Sequence, residues 1–308
     1  MLLNVESVIS RSAGFCKFFK QNELKHIMKT ILSGRKNEVV ISTEGPVIVI
    51  GESINPTRRK KLVSTLQENN FEFVLELAGN QIHAMADILD VNVGFPGVDD
   101  VKLLPETVKQ LQNNFDIPLC LDSPNSCAIE AALKVAVGKC LINSVNGEEK
   151  SLNSFLPVAK EYGSAIIGLT MDDDGITNDP FKRLAIAEKI LNRAVRIGIS
   201  EEDVIIDPLA MAISADPMAC MVTLETIRLV HEKLGLNITQ GASNISFGLP
   251  SREVLNMAFM VLAISAGLTC PIANPEKIAS AVRAADLILG RDDFALRFVE
   301  HYELTKQF

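Results

Sequence analysis

Eight short apolar runs in this chain each give way to small polar or acidic side chains, and those are the residues that could do chemistry. The first run ends in Gly51-Glu52-Ser53 with Asn55 following, the second in Asp90 and Asn92, the third in Asp122-Ser123 and the fourth in Asn143-Ser144. The fifth offers Thr170 and Asp172, the sixth Asp207, the seventh Ser243 and Asn244, and the eighth Asn274. Carboxylates and carboxamides dominate; His, Lys, Arg and Cys are missing from these positions, so neither a Schiff-base lysine nor a Cys–His or Ser–His pair is available. A lining of this kind suits a flat heterocycle with several N–H donors and ring acceptors, because Asp accepts two N–H groups and Asn both accepts and donates. A 2-amino-4-oxopyrimidine ring, as in a pterin, presents that pattern. Each residue alone could instead cap the helix that follows it. The set as a whole favours a ligand site, since Asp122 and Asp207 fall directly on the run ends and leave later residues free to cap.

The elements that must position these residues read as alternating strands and helices. Candidate strands fall at 47–50, 88–91, 118–121, 139–142, 165–169, 204–206, 237–239 and 268–272. Between them, 126–137 is rich in helix formers and stops at Gly138. The stretch 181–197 puts Leu184, Ala187, Leu191, Ala194 and Val195 on one face before Gly198, and the stretch from Ser251 ends at Gly267. Nearly continuous apolar strands such as VIVI and AIIGL are what a parallel sheet covered on both faces requires. Eight such units predict an α/β fold, a (β/α)8 barrel over 46–308, with all the polar run ends in one cup at its C-terminal face. Residues 1–45 stand apart as an N-terminal helical extension, in which 15–32 reads as an amphipathic helix stopped by Gly34 and packed on the outside or end of the barrel. No GxGxxG follows the first strand and no GxxxxGK[ST] occurs, which removes the main support for a dinucleotide or P-loop site.

Charge and composition exclude other classes. With 30 Lys plus Arg against 38 Asp plus Glu the 308-residue chain carries a formal charge of −8, the wrong sign for a nucleic-acid binder. No secretory signal and no charge-free run of about 18 apolar residues is present, so a cytoplasmic protein without a membrane span is expected. The 6 cysteines, without a CxxC pair, read as reduced thiols filling the core, and the 4 histidines have no metal-ligand spacing, so no protein-bound metal is expected. The acidic TMDDDG at 170–175 has Phe181 where a calcium loop needs Glu, and reads as a solvated loop over the barrel mouth. Arg58-Arg59-Lys60-Lys61 reads as an exposed helix start, or as an attraction for the carboxylates of a ligand or for an acidic partner.

GESIN at 51–55, LDVNVG at 89–94, LCLDS at 119–123, LINSVN at 141–146, IIGLT at 166–170, IDPL at 206–209 and GASNISFGLP at 241–250 resemble the methyltetrahydrofolate:corrinoid-protein methyltransferases. The pterin-binding barrel of cobalamin-dependent methionine synthase is similar. The resemblance implies a stand-alone enzyme of one-carbon metabolism, commonly a homodimer. It moves a methyl group between N5 of tetrahydrofolate and the cobalt of a corrinoid (cobalamin) held on a partner protein, forming methyltetrahydrofolate during demethylation of a methylated donor such as glycine betaine. This chain has no DxHxxG motif for holding a cobalamin itself. By motif, Asp122, Asn143 and Asp207 correspond to pterin hydrogen-bonding residues and Asn244 to a mobile asparagine whose amide reaches N5. Asp90 and Asn92 belong to the same polar floor, joined by Glu52, Asn55 and Ser243, while Arg252 meets the outer part of the folate and Phe247 stands where some relatives carry a polar residue. A dihydropteroate synthase is the nearest rival enzyme, against which Ser243-Asn244-Ile245 offers no cation for a leaving pyrophosphate. A non-catalytic folate-binding protein is the rival outside the enzymes.

Overall fold

The computed structural model describes residues 27–305. The first element is a hairpin of β1 (Lys29–Ser33) and β2 (Glu38–Ser42), paired antiparallel from Lys29 opposite Ser42 to Ser33 opposite Glu38. It occupies the last residues of the expected helix over 15–32, the earlier part of which lies outside the described residues. Thr30 and Leu32 are buried, while Lys29 and Ile31 face out, an alternation of period two that only a strand can use. Gly34 turns the hairpin instead of stopping a helix, donating its N–H to the Asn37 carbonyl at 2.8 Å.

Eight parallel strands follow and close into a barrel: β3 (Ile50–Ile54), β4 (Ile88–Asn92), β5 (Leu119–Asp122), β6 (Leu141–Asn146), β7 (Ala165–Leu169), β8 (Val204–Asp207), β9 (Asn237–Gly241) and β10 (Cys270–Ala273), with β10 returning to pair with β3. The expected (β/α)8 barrel is therefore the architecture, with several strands displaced by one to three residues toward the C-terminal side of the expected runs. Helices α1 (Lys60–Gln67) and α2 (Glu72–His83) both lie between β3 and β4, and α3 (Asp100–Asn114) follows β4. The remaining strands alternate with α4 (Ser126–Leu133), α5 (Glu149–Tyr162), α6 (Pro180–Arg196), α7 (Ala219–Lys233) and α8 (Arg252–Ala266). Helices α9 (Pro275–Ile288) and α10 (Leu296–Thr305) complete the chain.

Strand residues divide between two cores. Leu89, Leu121, Ile142, Ile166, Ile206 and Ile238 face the helices in one continuous cluster, whereas Ile50, Ile88, Cys120, Leu141, Ile167, Ile205, Cys270 and Ile272 fill the barrel interior together with Leu32 and Ile41 of the hairpin. The hairpin thus seals the N-terminal end. Asn237, fully buried at the start of β9, donates through Nδ2 to Thr30 Oγ1 and to the Ile41 carbonyl, both at 3.0 Å, and Thr30 Oγ1 in turn donates to the Glu202 carbonyl. Gly138, expected to end a helix, also makes this seal possible. A Cβ built there would sit 2.1 Å from the Ser33 carbonyl oxygen, and its φ of +88° is one that side chains disfavour. Helix α4 itself stops earlier than expected, at Leu133.

A second fastening lies at the same end. Asp286 of α9 accepts the Val47 N–H at 3.0 Å and Asp87 accepts the Val49 N–H at 2.7 Å, and Arg297 of α10 lies 3.7 Å from Asp286 and 3.8 Å from Asp87. Arg283 is buried beside them and its guanidinium is held below its usual range by that burial. Of the cysteines expected in the core, Cys16 lies outside the described residues, Cys120, Cys140 and Cys270 are buried, Cys220 is half-buried, and Cys127 is exposed in the first turn of α4. Asn125 caps that helix by accepting the Cys127 N–H.

Candidate functional site

The inward positions change character at the C-terminal ends of the strands. One or two pleats above the apolar interior, Glu52, Asp90, Asn92, Asp122, Asn143 and Asp207 replace its apolar side chains. Register places them side by side: Asn92 lies opposite Asp122, Asp122 opposite Asn143, and Leu169 opposite Asp207. Asn92 Nδ2 donates to Asp122 Oδ2 at 2.9 Å and its Oδ1 accepts the Gly94 N–H at 2.8 Å. Asn143 Nδ2 donates to Asp90 Oδ1 at 3.2 Å. Every member is held by a strand, which fixes its direction far better than a loop would.

Burial dominates the electrostatics of this floor. The Asp90 carboxyl is raised well above the usual carboxylate range, first by burial, then by the neighbouring Asp122 charge, against the hydrogen bonds from Cys120 and Asn143. Burial and the neighbouring charge both disfavour ionisation of Asp90, and the two carboxyls titrate as a pair. Asp122 is itself raised by burial, opposed by the Asn92 amide. Burial brings Asp207 to about 6, opposed by the N–H groups of Leu209 and Gly241 and by the Arg183 charge. The floor therefore offers carboxyl and carboxamide groups together, a mixture that can match a ring carrying both donors and acceptors.

The rim is built differently. A short 3-10 turn, Ala242–Asn244, follows β9. Its Ser243 donates through Oγ to Glu52 Oε1 at 2.8 Å, tying the turn to β3, and burial raises the Glu52 carboxyl against that bond and the charges of Arg59 and Arg252. Asn244 is exposed, and its side chain makes no hydrogen bond among the described residues. Arg252, at the start of α8, reaches back to donate to Ser246 Oγ at 3.1 Å and to the Ser243 carbonyl at 2.7 Å, so a cation does stand beside the turn whose own sequence lacks one. Asn55 Oδ1 accepts the Thr57 N–H at 3.0 Å and shapes the turn after β3. Asn274 caps α9 by accepting the Glu276 N–H at 3.0 Å. The acidic stretch at 170–175 folds into a tight turn closed by the Gly175 N–H on the Asp172 carbonyl, with Asp173 and Asp174 exposed.

Two cavities open at this face. One of about 490 Å³ is lined by Asp122, Ser123, Asn143, Ser144, Lys150 and Leu169; the other, about 730 Å³, by Glu52, Arg59, Ser243, Arg252, Asn274 and Lys277 among others. Volumes of this order accept a small-molecule ligand. Among the described residues no group of three or more His, Cys, Asp or Glu side chains is placed to hold a metal ion, and no helix is long and apolar enough to cross a membrane.

Two supporting residues escape the sequence analysis. Arg183 is fully buried on α6 and donates through Nε to the Thr177 carbonyl and through Nη1 to the Pro208 and Leu209 carbonyls, at 2.7 to 2.8 Å. It thereby holds Leu209, at φ +60°, where the Leu209 N–H reaches Asp207 Oδ1 at 2.7 Å. The α6 face buried against the barrel is Arg183, Ile186, Ala187, Ile190 and Ala194, whereas Val195 of the expected face is exposed. Reading Ile186 and Ile190 as the centre of the stripe would have drawn Arg183 inside. Asp100 accepts from Ser123 Oγ at 3.0 Å and from Asn125 Nδ2 at 2.9 Å, ordering the loop after β5; its position at a helix start gave no sign of this.

Comparison with known proteins bears on the same face. The sequence profile of the family described as pterin binding enzyme matches residues 51–274, which runs from the first barrel strand to the end of the last. A methylcorrinoid:tetrahydrofolate methyltransferase of Eubacterium limosum is 27% identical over 84% of this chain and 97% of its own length. The methionine synthase of Mycobacterium tuberculosis is 30% identical over 78% of this chain, which spans only 21% of that longer protein. In fold, the chain matches 7,8-dihydropteroate synthase from Vibrio fischeri with a TM-score of 0.67 at 17% identity, covering 85% of this chain and 99% of that one. A profile match over most of the chain, coinciding with a polar cup on a (β/α)8 barrel, shows that the chain belongs to the pterin binding enzyme family.

Proposed function

We propose that the chain is a methyltransferase that binds tetrahydrofolate in the cup and moves a methyl group between its N5 and the cobalt of a corrinoid carried by a separate protein. The observation that carries this reading is the strand-end floor of Asp90, Asn92, Asp122, Asn143 and Asp207, whose mixed donors and acceptors suit a pterin ring. The likeness to a methylcorrinoid:tetrahydrofolate methyltransferase along nearly its whole length supports the choice of reaction. Asp122, Asn143 and Asp207 position the pterin, with Asp90, Asn92 and Glu52 completing the floor and Ser243 holding Glu52.

The corrinoid, when its carrier protein docks, supplies the cobalt between which and N5 the methyl passes. In the direction that forms methyltetrahydrofolate, the N5 lone pair would take the methyl carbon, the electron pair of the old bond would stay with the metal, and N5 would release its proton to solvent at the open mouth. Asn244 stands at the open mouth with its carboxamide unengaged, free to accept a hydrogen bond from N5–H or, in reverse, to donate one to N5 as the methyl leaves. A carboxamide does this without needing a pKa near 7, and preorganised hydrogen bonding is the main effect available in a site without a catalytic histidine. Arg252 faces the outer part of the folate.

The physiological setting goes with this reading: a corrinoid protein as partner, demethylation of a methylated donor as the source of the methyl group, and residues 46–308 as the pterin-binding unit behind an extension of 1–45. Apolar side chains left exposed on neighbouring helices, Met221 on α7 and Val254 and Leu262 on α8, support a homodimer, and free thiols support a cytoplasmic location. The test mixes purified protein with methyltetrahydrofolate and reduced cobalamin, then with methylcobalamin and tetrahydrofolate, and follows the cobalt absorption bands. Protein-dependent conversion is expected in at least one direction; none in either would remove the methyltransferase reading.

A further inference from the structure

The first barrel strand breaks its own alternation just where it enters the cup. β3 pairs with β4 at Ile50 opposite Ile88, Gly51 opposite Leu89 and Ile54 opposite Val91, so Glu52 and Ser53 together face the single residue Asp90. One extra residue reverses the facing of whatever follows it. Ile50 fills the barrel interior, whereas Ile54, which regular alternation would put on the same face, belongs to the helix-facing core. The bulge thus lets Glu52 enter the cup without carrying Ile54 in after it.

A bulge disrupts the ladder locally, and buried backbone groups there need other partners. Ser53 is buried, and two side chains take its backbone groups. Gln81 of α2 accepts the Ser53 N–H through Oε1 at 2.7 Å, and Arg59 donates through Nη1 to the Ser53 carbonyl at 2.7 Å. Gln81 is buried behind the strand and lines neither cavity of the cup. Its Nε2 has no partner among the described residues, so the side chain serves through its acceptor alone. Gly51 makes room for it: a Cβ there would lie 2.5 Å from Gln81 Oε1.

The residue that this bulge aims joins three strands. Glu52 Oε1 accepts from Ser243 Oγ at 2.8 Å, and the carboxyl also takes the Asn274 N–H, which ties β3 to the end of β10 and to the turn after β9. Asn244 is the next residue of that turn. We propose that Gln81 is a positioning residue for methyl transfer: by holding the β3 bulge it aims Glu52 at Ser243, and so fixes the turn that carries Asn244. The proposal rests on the methyltransferase reading of the cup. Gln81 acts from the helix side of β3, through the strand backbone.

The test compares Gln81→Met, which keeps the side-chain length but removes the acceptor, with Gln81→Glu, which keeps an acceptor oxygen at the same reach. Folate dissociation constants and turnover at saturating folate are measured with cobalamin as methyl partner, and denaturant midpoints confirm that each variant is folded. Gln81→Met is expected to lower turnover by about three- to tenfold, the scale of one hydrogen bond. Folate affinity should stay within about threefold, because Asp122, Asn143 and Asp207 are held by other strands. Gln81→Glu is expected to restore turnover to within about twofold of the intact protein. In a Ser243→Ala background Gln81→Met should add no further loss, since the joint is already open. Gly51→Ala reaches the same contact from the strand side by displacing the Gln81 carboxamide, and is expected to repeat the loss even where Gln81→Met does not fold. Unchanged turnover in Gln81→Met or Gly51→Ala, equal losses in the Met and Glu variants, or full additivity with Ser243→Ala would overturn the role of Gln81. A loss confined to folate affinity would overturn it as well. Absence of methyl exchange in the intact protein would instead remove the methyltransferase reading itself.

Discussion

The two ends of the barrel use the same residue types for opposite purposes. At the N-terminal end Asn237 is buried with its amide donating to Thr30 and Ile41, and Asp286 and Asp87 accept the N–H groups of Val47 and Val49 beside Arg283 and Arg297. At the C-terminal end the Asn92 and Asn143 amides donate to acids of the same floor, with Asn92 Oδ1 also taking the Gly94 N–H, and Asn244 makes no side-chain bond among the described residues. Carboxyls there face other carboxyls, which raises Asp90 further than burial alone. One end spends its polar groups on closure; the other leaves them arranged toward an open cup. Residue type alone therefore does not mark a site, whereas the direction in which the hydrogen bonds run does.

Breaking the sealed end should cost stability without touching the ligand. Replacing Asp286 by Ala removes the acceptor of the Val47 N–H and leaves Arg283 buried among fewer acids, which is expected to lower unfolding free energy by about 3 kcal/mol. Denaturant midpoints and a folate titration on the same variant check this; a large loss of folate affinity in the still-folded variant would mean that the two ends are coupled.

Breaking the floor should do the reverse. Asp207→Ala leaves pterin N–H groups unpaired and is expected to weaken folate binding by about 10- to 100-fold with a small change in melting temperature, and unaltered affinity in a titration would remove Asp207 from the pocket. The same carboxylate gives a sharper, smaller effect with pH. Since burial places Asp207 at about 6, folate affinity is expected to fall as pH drops through 6, by up to about tenfold per unit. Arg183 holds that value down, so Arg183→Met moves the onset to higher pH. Stability responds with the opposite sign: the folded value lies above the unfolded 3.8, so the native state binds the extra proton and loses the Asp207 contribution as pH rises through this window.

How far the sequence reveals these two ends also differs. The barrel and the floor were legible because parallel strands leave near-continuous apolar runs, and a switch from Ile or Leu to Asp or Asn at Asp122, Asn143 and Asp207 is abrupt. The hairpin was not, because Ile27, Met28 and Ile31 satisfy helical spacing while the burial of Thr30 and Leu32 depends on β2 and on Asn237, more than 190 residues away. Arg183, Asp87 and Asp286 were missed for a related reason. A charge on a helix or after one reads as solvent-facing, and only partners remote in sequence, such as Arg297 for Asp87 or the Pro208 and Leu209 carbonyls for Arg183, draw it inside. Asn274 shows the converse, a strand-end polar residue whose side chain caps the following helix.

The central claim is that the floor binds and the rim does the chemistry, and Asn244→Ala tests it most directly. Folate dissociation constants and turnover at saturating folate, measured on the variant with cobalamin as methyl partner, separate the two roles. The account predicts a loss of turnover of about 10²-fold or more, the scale for removing one such hydrogen-bonding group, with folate affinity within a few-fold of the intact protein. Collapse of binding with unchanged turnover at saturation would contradict it.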